Sequence, residues 1–316
     1  MALFIGGLKL KSDNYKPPFT MTESITNLVI EIGELTGRIS LSDRLSMSPK
    51  LRRENRIRSI YSSLAIEQNT LTVGQVSDVI EGKRVLGPPQ DIREAKNAYD
   101  AYELLTNLNP YSIKDLLKAH RVMMAGLERE SGIFRSKGIG VYAGTELVHA
   151  GTPPQYVPDL MKELFIWLKE STLHPLVKSC IFHYEFEFIH PFADGNGRTG
   201  RLWHTLILAK WKDFFLWTPI ETLIHERQEE YYRALNAANT MGESTVFVEF
   251  MLEVIRDLLL ELTKTQPLQG AGSMEERLLS LLRQNGKHSA KSLSLELAIS
   301  ERQIQRILKE LKESGV

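Results

Sequence analysis

The run His190-Pro191-Phe192-Ala193-Asp194-Gly195-Asn196-Gly197-Arg198-Thr199-Gly200-Arg201 lies between two helical patterns and gathers a base, a carboxylate, glycines and two arginines within twelve residues. Pro191 disfavours helical geometry at His190, so the preceding helix must end there. Gly195 and Gly197 allow backbone conformations that turn successive N–H groups into one concavity, an anion nest. The next helix is expected from about Arg198, and its unpaired first-turn N–H groups and positive dipole end would favour a phosphate. Arg198 and Arg201 are three apart and share a face, so both guanidinium groups can reach one polyphosphate. Asp194 offers a hard oxygen ligand suited to Mg²⁺, which takes one or two carboxylates plus phosphate oxygens. His190, with a pKa near neutrality, can accept a proton from an attacking hydroxyl.

Each part alone has an ordinary reading: a histidine at a helix end caps or fills, Gly-Asn-Gly makes a turn, and two arginines at this spacing line a solvated face. Their coincidence at a single helix start is what points to polyphosphate chemistry.

Outward from this run the apolar residues recur at helical spacing. The pattern holds through Val157, Leu160, Leu164, Ile166 and Leu168, then over 176–189, 202–211, 226–238 and 246–263. Toward the N-terminus, Ile25, Leu28, Val29 and Ile32 form one stripe, and Tyr99, Tyr102, Leu104 and Leu105 belong to another. Thr72 with Gln75 fits a capping box, and Pro110 followed by Ser112 marks a further helix start. One segment departs from the rule: Gly138–Tyr142 and Leu147–His149, joined by Ala143–Glu146, read as a β-hairpin. Residues 1–21, with Gly6, Gly7, Pro17 and Pro18, read as an irregular arm. The fold class is therefore all-α, a helical body carrying one hairpin.

With 316 residues and 42% hydrophobic content the chain has ample core for about two domains, which excludes a disordered chain. Its 39 basic and 39 acidic residues balance, which excludes a globally basic nucleic-acid binder or an acidic tail protein. The single Cys180 excludes an intramolecular disulfide and a multi-cysteine zinc site. The apolar stretch at 1–8 lacks preceding basic residues, and no apolar run approaches the roughly 20 residues of a membrane span. A soluble, cytoplasmic protein with no membrane partner is expected.

The uncharged stretch 266–273, with one proline and two glycines, reads as a linker. Beyond it, 274–316 carries three helical patterns, 8 basic and 6 acidic residues, and a capping box at Ser300 and Gln303 that opens the last helix. The arrangement resembles the helix-turn-helix of winged-helix domains, which implies DNA in the major groove as a partner, or a dimerisation or protein-docking role.

The run 190–201 resembles the signature of the Fic domain family, His-Pro-Phe-x-(Asp/Glu)-Gly-Asn-Gly-Arg-x-x-Arg, and matches it at every fixed position. The resemblance implies a helical Fic fold and transfer of AMP from ATP to a Tyr, Thr or Ser hydroxyl of a target protein, with Mg²⁺. It makes His190 the general base, Asp194 the metal ligand, and Gly195, Asn196, Gly197, Arg198, Thr199, Gly200 and Arg201 the ATP-binding segment. Tyr231–Asn239 resembles the family's adenine-pocket helix, which implies contacts from Tyr232 to the base and from Asn239 to the nucleoside. The hairpin at 138–149 stands where the family has its flap, which holds the target segment by strand addition.

Upstream, Ser63-Leu64-Ala65-Ile66-Glu67-Gln68-Asn69 resembles the inhibitory motif (Ser/Thr)-x-x-x-Glu-(Gly/Asn), with Gln68 where Gly or Asn is expected. Ser63 and Glu67 share a helix face. The resemblance implies that Glu67 pairs with Arg201 and obstructs the γ-phosphate, within one chain or across a homodimer. The expected organisation is a helical region 1–130 with the inhibitory motif, a Fic core 131–265, the linker 266–273 and the module 274–316. Two other readings stay open: removal of AMP by the same site, and a nucleotide-sensing transcription regulator.

Overall fold

A computed structural model of the chain describes residues 4–5, 8–9, 15–42, 48–138, 140–143, 146–264, 278–279, 281–282, 289–297 and 299–313. It forms two compact units, Met1–Leu260 and Glu261–Val316.

In the first unit, β1 (Phe4–Ile5) pairs antiparallel with β2 (Leu8–Lys9), a short ladder inside the stretch expected to be irregular. The helices follow: α1 (Glu23–Ser42), α2 (Pro49–Ile66), α3 (Val73–Ile80), α4 (Pro89–Glu103) and α5 (Ile113–Met123). Both expected starts are present. Thr72 and Gln75 cap α3 reciprocally at 3.3 and 2.9 Å, and the Ser112 hydroxyl accepts from Asp115 N–H at 3.2 Å.

The hairpin is β3 (Gly140–Ala143) against β4 (Glu146–Ala150). Ala143 and Glu146 pair with each other and so belong to the strands, because the ladder runs closer to the turn than residue type alone indicated. Residues 144–145 lie outside the described residues. After it come α6 (Val157–Glu170), α7 (Pro175–Ile189), α8 (Asn196–Trp211), α9 (Ile220–Glu226), α10 (Gln228–Met241) and α11 (Thr245–Lys264).

The core centres on α7 and α8. Nearly every residue of α7 is buried, which places it inside the bundle and not on its surface. Phe182 and Phe186 of α7, with Phe192, Trp203 and Leu208, belong to this buried core. Cys180 is fully buried there, its thiol pushed up to about 12 by burial. Strapped across this core, the arm at 15–22 bonds Pro18 O to Ser244 N–H at 2.9 Å and the Thr22 hydroxyl to Glu249 at 2.6 Å.

The polar face of α2 is also buried. Asn55 donates to Trp217 O at 2.9 Å, and the Ser59 hydroxyl donates to Glu221 at 2.9 Å. Glu221 also accepts from Tyr102 at 2.7 Å and Thr205 at 3.2 Å, so one buried carboxylate ties together α2, α4, α8 and α9. These bonds fix α2 along its length and set the position of its C-terminal residues.

In the second unit the described residues include α12 (Ala290–Leu297) and α13 (Glu301–Glu313), packed around Leu278, Leu293, Leu297, Ile304 and Ile307. Ser300 and Gln303 make the expected capping box, with bonds of 3.1 and 3.3 Å. The linker 266–273 lies outside the described residues. Among the described residues no helix is long and apolar enough to cross a membrane.

Candidate active site

The site begins where α7 stops. His190 adopts φ 53° and ψ 63°, a left-handed geometry uncommon outside glycine, because Pro191 forbids it to continue the helix. Its Nδ1 lies 3.2 Å from Glu187 O. A carbonyl only accepts, so Nδ1 carries the proton and Nε2 is the basic nitrogen.

The loop that follows closes on itself. The Asn196 carboxamide accepts from Phe192 N–H at 2.8 Å and donates to Phe192 O at 2.9 Å. That side chain is therefore spent on holding the loop, and Asn196 faces any ligand with its backbone. His120 from α5 packs flat on Phe192 at 3.6 Å, accepts Gly132 N–H at 2.8 Å and donates to Asp194 O at 2.9 Å. Burial pulls its pKa down to about 4, which keeps this donor–acceptor pair neutral.

Gly195 sits at φ 78°, and the next helix begins at Asn196, two residues earlier than the sequence indicated. The left-handed Gly195 lets the helix nucleate at once. The expectation of special geometry at Gly197 is corrected: it is an ordinary helical residue without positive φ. A Cβ there would meet the Glu67 carboxylate and lie 3.0 Å from Arg201, so a side chain would have to displace that ion pair.

Both arginines are buried and engaged. Arg201 donates to Glu67 at 2.8 Å, to the Ser63 hydroxyl at 3.1 Å and to Ser63 O at 2.9 Å. The Glu67 carboxylate beside it holds the Arg201 guanidinium firmly charged despite its burial. Arg198 stands 3.4 Å from Glu94 and 3.2 Å from Asp194, whose side chain is 58% exposed and also accepts Gly195 N–H at 2.6 Å. Thr199 is buried in the same turn, and a Cβ on Gly200 would lie 2.6 Å from the Glu187 carboxylate, so Gly200 packs directly against α7.

Ser63, Glu67, Asp194, Arg198 and Arg201 thus meet at one place, with His190 on the loop that leads to it. Tyr232 joins them: it is 43% exposed, and burial together with the charge of Glu67 raises its phenol pKa. Asn239, two turns along α10, accepts from the Tyr184 hydroxyl at 3.1 Å.

Three residues that sequence reasoning passed over support the site: His120, Glu94 and Arg135. His120 and Glu94 sit in helices where a lone polar residue gives no signal. Glu94 links the two halves of the site, accepting from Asn69 at 2.9 Å while it faces Arg198. Arg135, in a loop before the hairpin, is 3% exposed and bonds the carbonyls of Ile189, His190, Lys137 and Thr152.

A sequence model of the Fic/DOC family matches residues 108–208. A crystal structure of a Fic family protein from Desulfovibrio desulfuricans G20 superposes with a TM-score of 0.77 at 47% identity, covering 95% of this chain and 92% of that one. Protein adenylyltransferase fic-1 of Caenorhabditis elegans is 31% identical over 215 residues, 64% of this chain and 40% of the relative. Protein adenylyltransferase Fic of Drosophila melanogaster is 30% identical over 233 residues, 70% of this chain and 45% of the relative. The chain spans less than half the length of these curated relatives.

Proposed function

The chain belongs to the Fic family, and on that premise we propose that its site transfers AMP from ATP to a Tyr, Thr or Ser hydroxyl of a protein, itself included, under restraint by Glu67. The observation that carries this reading is the Glu67 carboxylate lying against Gly197 and paired with Arg201 at the N-terminus of α8. A helix N-terminus with a buried arginine is a phosphate site, and an internal carboxylate stands in it.

In the reaction the target hydroxyl attacks the α-phosphorus of ATP, the bond to the bridging oxygen of the pyrophosphate breaks, and pyrophosphate leaves. His190 Nε2 takes the hydroxyl proton, while Glu187 O holds Nδ1–H and so fixes the tautomer. Arg198, Arg201 and the first N–H groups of α8 bind the phosphates, and Tyr232 and Asn239 receive the nucleoside.

Asp194 would hold Mg²⁺. Its carboxylate is solvent-facing, and among the described residues no group of three or more His, Cys, Asp or Glu could cage a metal ion. One carboxylate completed by phosphate oxygens suits Mg²⁺. The bound ion would neutralise charge on the phosphates during transfer. The hairpin β3–β4 receives the extended target segment along a strand edge.

The test is incubation with ATP labelled at the α-phosphate and Mg²⁺, with mass spectrometry of the product. Label is expected on protein, stronger with Glu67→Gly and absent with His190→Ala. Label equal in the parent and His190→Ala would remove His190 from its role. Release of AMP from pre-modified protein, without transfer, would instead assign hydrolysis, in which water attacks the phosphorus and the protein hydroxyl leaves.

A further inference from the structure

We propose that Arg135 is a positioning residue for this transfer: it clasps both ends of the β3–β4 hairpin to the backbone of His190, so that base and hairpin hold one geometry. The inference rests on the AMP-transfer reading for its kinetic consequence.

Arg135 is a buried cation whose bonded partners are carbonyl oxygens. Its Nε–H donates to His190 O at 2.7 Å, its Nη1 to Lys137 O at 2.9 Å, and its Nη2 to Ile189 O at 3.3 Å and to Thr152 O. Its own backbone N–H donates to Pro191 O at 3.0 Å. Ile189 and His190 supply the last carbonyls of α7, the negative end of the helix dipole, where a cation is stabilised. Lys137 lies just before β3 and Thr152 just after β4, so one guanidinium reaches both stems of the hairpin and the helix end at once.

His190 is where such a clasp is needed. Its positive φ turns its carbonyl away from the helix ladder, a conformation that persists only when the surroundings over-determine it. Arg135 supplies donors on each side of the turn, its guanidinium to the carbonyls of Ile189 and His190 and its backbone N–H to that of Pro191. A planar fork of five donors can do this; the ammonium of lysine, a point charge, cannot span the same set.

The arrangement also couples its parts. A buried cation stripped of partners is costly, so displacing the hairpin stems would leave Arg135 undersatisfied, and displacing Arg135 would free the His190 turn. Movement at the hairpin is therefore felt at the base. A misplacement of about 1 Å at a reacting group can lower a rate by on the order of 10²-fold, which sets the expected effect.

The experiment compares Arg135→Lys and Arg135→Ala, each in the Glu67→Gly background, with that parent. The turnover number for transfer is expected to fall by on the order of 10²-fold, with KM for ATP within about 2-fold because the phosphate residues are untouched. Guanidinium ion added to Arg135→Ala is expected to restore part of the rate. Unchanged turnover in Arg135→Lys overturns the proposal, as does a parallel loss of ATP binding and melting temperature with no guanidinium rescue. Hydrogen exchange decides the clasp without reference to activity: Arg135→Lys should speed exchange at 137–152 and 189–192 together, and faster exchange in the hairpin alone overturns it. A Glu67→Gly parent that transfers no AMP would refute the activity reading, and the exchange result would still decide the clasp.

Discussion

The backbone N–H of Asn69 donates to Leu64 O at 3.1 Å, and together with Gln68 N–H on Ala65 O at 3.0 Å it closes α2 in a Schellman turn. Gln68 occupies the left-handed position of that turn, at φ 64°, and Glu67 is the residue just before it. Glycine or asparagine suits this position; glutamine is strained there by about 1–2 kcal/mol. Gln68→Gly should therefore tighten the end of α2 that presents Glu67. Part of the gain is lost because glycine also loosens the unfolded chain, so a net of about 0.5–1 kcal/mol is expected. The melting temperature should rise by about 2 °C, and basal AMP transfer should drop several-fold. A raised melting temperature with an unchanged transfer rate would separate the turn from the restraint.

Glu67 itself is tested by graded substitution. Glu67→Gly removes both the carboxylate over Gly197 and the partner of Arg201, whose guanidinium keeps Ser63. Glu67→Gln keeps a hydrogen-bond acceptor but removes the negative charge that repels nucleotide. Self-labelling should rise at least about tenfold with Gly, equivalent to about 1.4 kcal/mol, and by an intermediate amount with Gln. Equal rates in all three proteins would remove the restraining role of Glu67.

The local chemistry of this region was legible in sequence where residue type dictates backbone. Pro191 after His190, the glycines of the loop and the capping pairs at Thr72 and Ser300 each announce an element end. The resemblance of 63–69 and 190–201 to family motifs pairs Glu67 with Arg201, and the structure has that pair. Long-range bonds are different. The buried polar face of α2 gives no signal in sequence, because nothing in Asn55, Ser59 or Ser62 tells of Trp217, Glu221 or Thr222 some 160 positions away. Arg135 was silent for the same reason: its partners are backbone carbonyls, which carry no residue identity. Gly197 shows the opposite error: a glycine read for its φ has an ordinary helical φ, and it is the Glu67 carboxylate that lies where its Cβ would be.

Glu221 is the strongest case of that hidden wiring. Replacing it with leucine leaves Ser59, Tyr102 and Thr205 as buried donors without an acceptor. A loss of about 3–4 kcal/mol is expected, the sum of their unmet desolvation. Denaturant unfolding should show it as a lower midpoint with an unchanged slope. The double variant with Tyr102→Phe should be less destabilised than the sum of the single changes, because the same donor is removed twice.

Buried acids and bases near the site give stability a pH dependence whose sign can be worked out. Burial lifts Glu185 to about 7, partly offset by the Tyr15 hydroxyl at 2.8 Å, and lifts Glu187 to about 8, partly offset by Arg201. For an acid whose folded pKa exceeds its ordinary value near 4.5, the folded chain holds a proton that the unfolded chain has lost. That stability is present at low pH and disappears as pH rises through 7 and then 8. His120 and His204, pulled to about 4 by burial, act in the opposite sense. Their unfolded forms take up protons below about 6.5, so their contribution grows as pH rises from about 4 to 6.5 and is then constant. Acids and histidines oppose each other up to about pH 6.5, and above it the acids act alone. Melting temperature should accordingly fall between pH 6.5 and 8, and Glu187→Gln should remove the upper part of that fall. A profile flat between pH 7 and 8 in the parent would mean that Arg201 keeps Glu187 ionised, and it would make Glu187 a second carboxylate that Arg201 must serve when phosphate arrives.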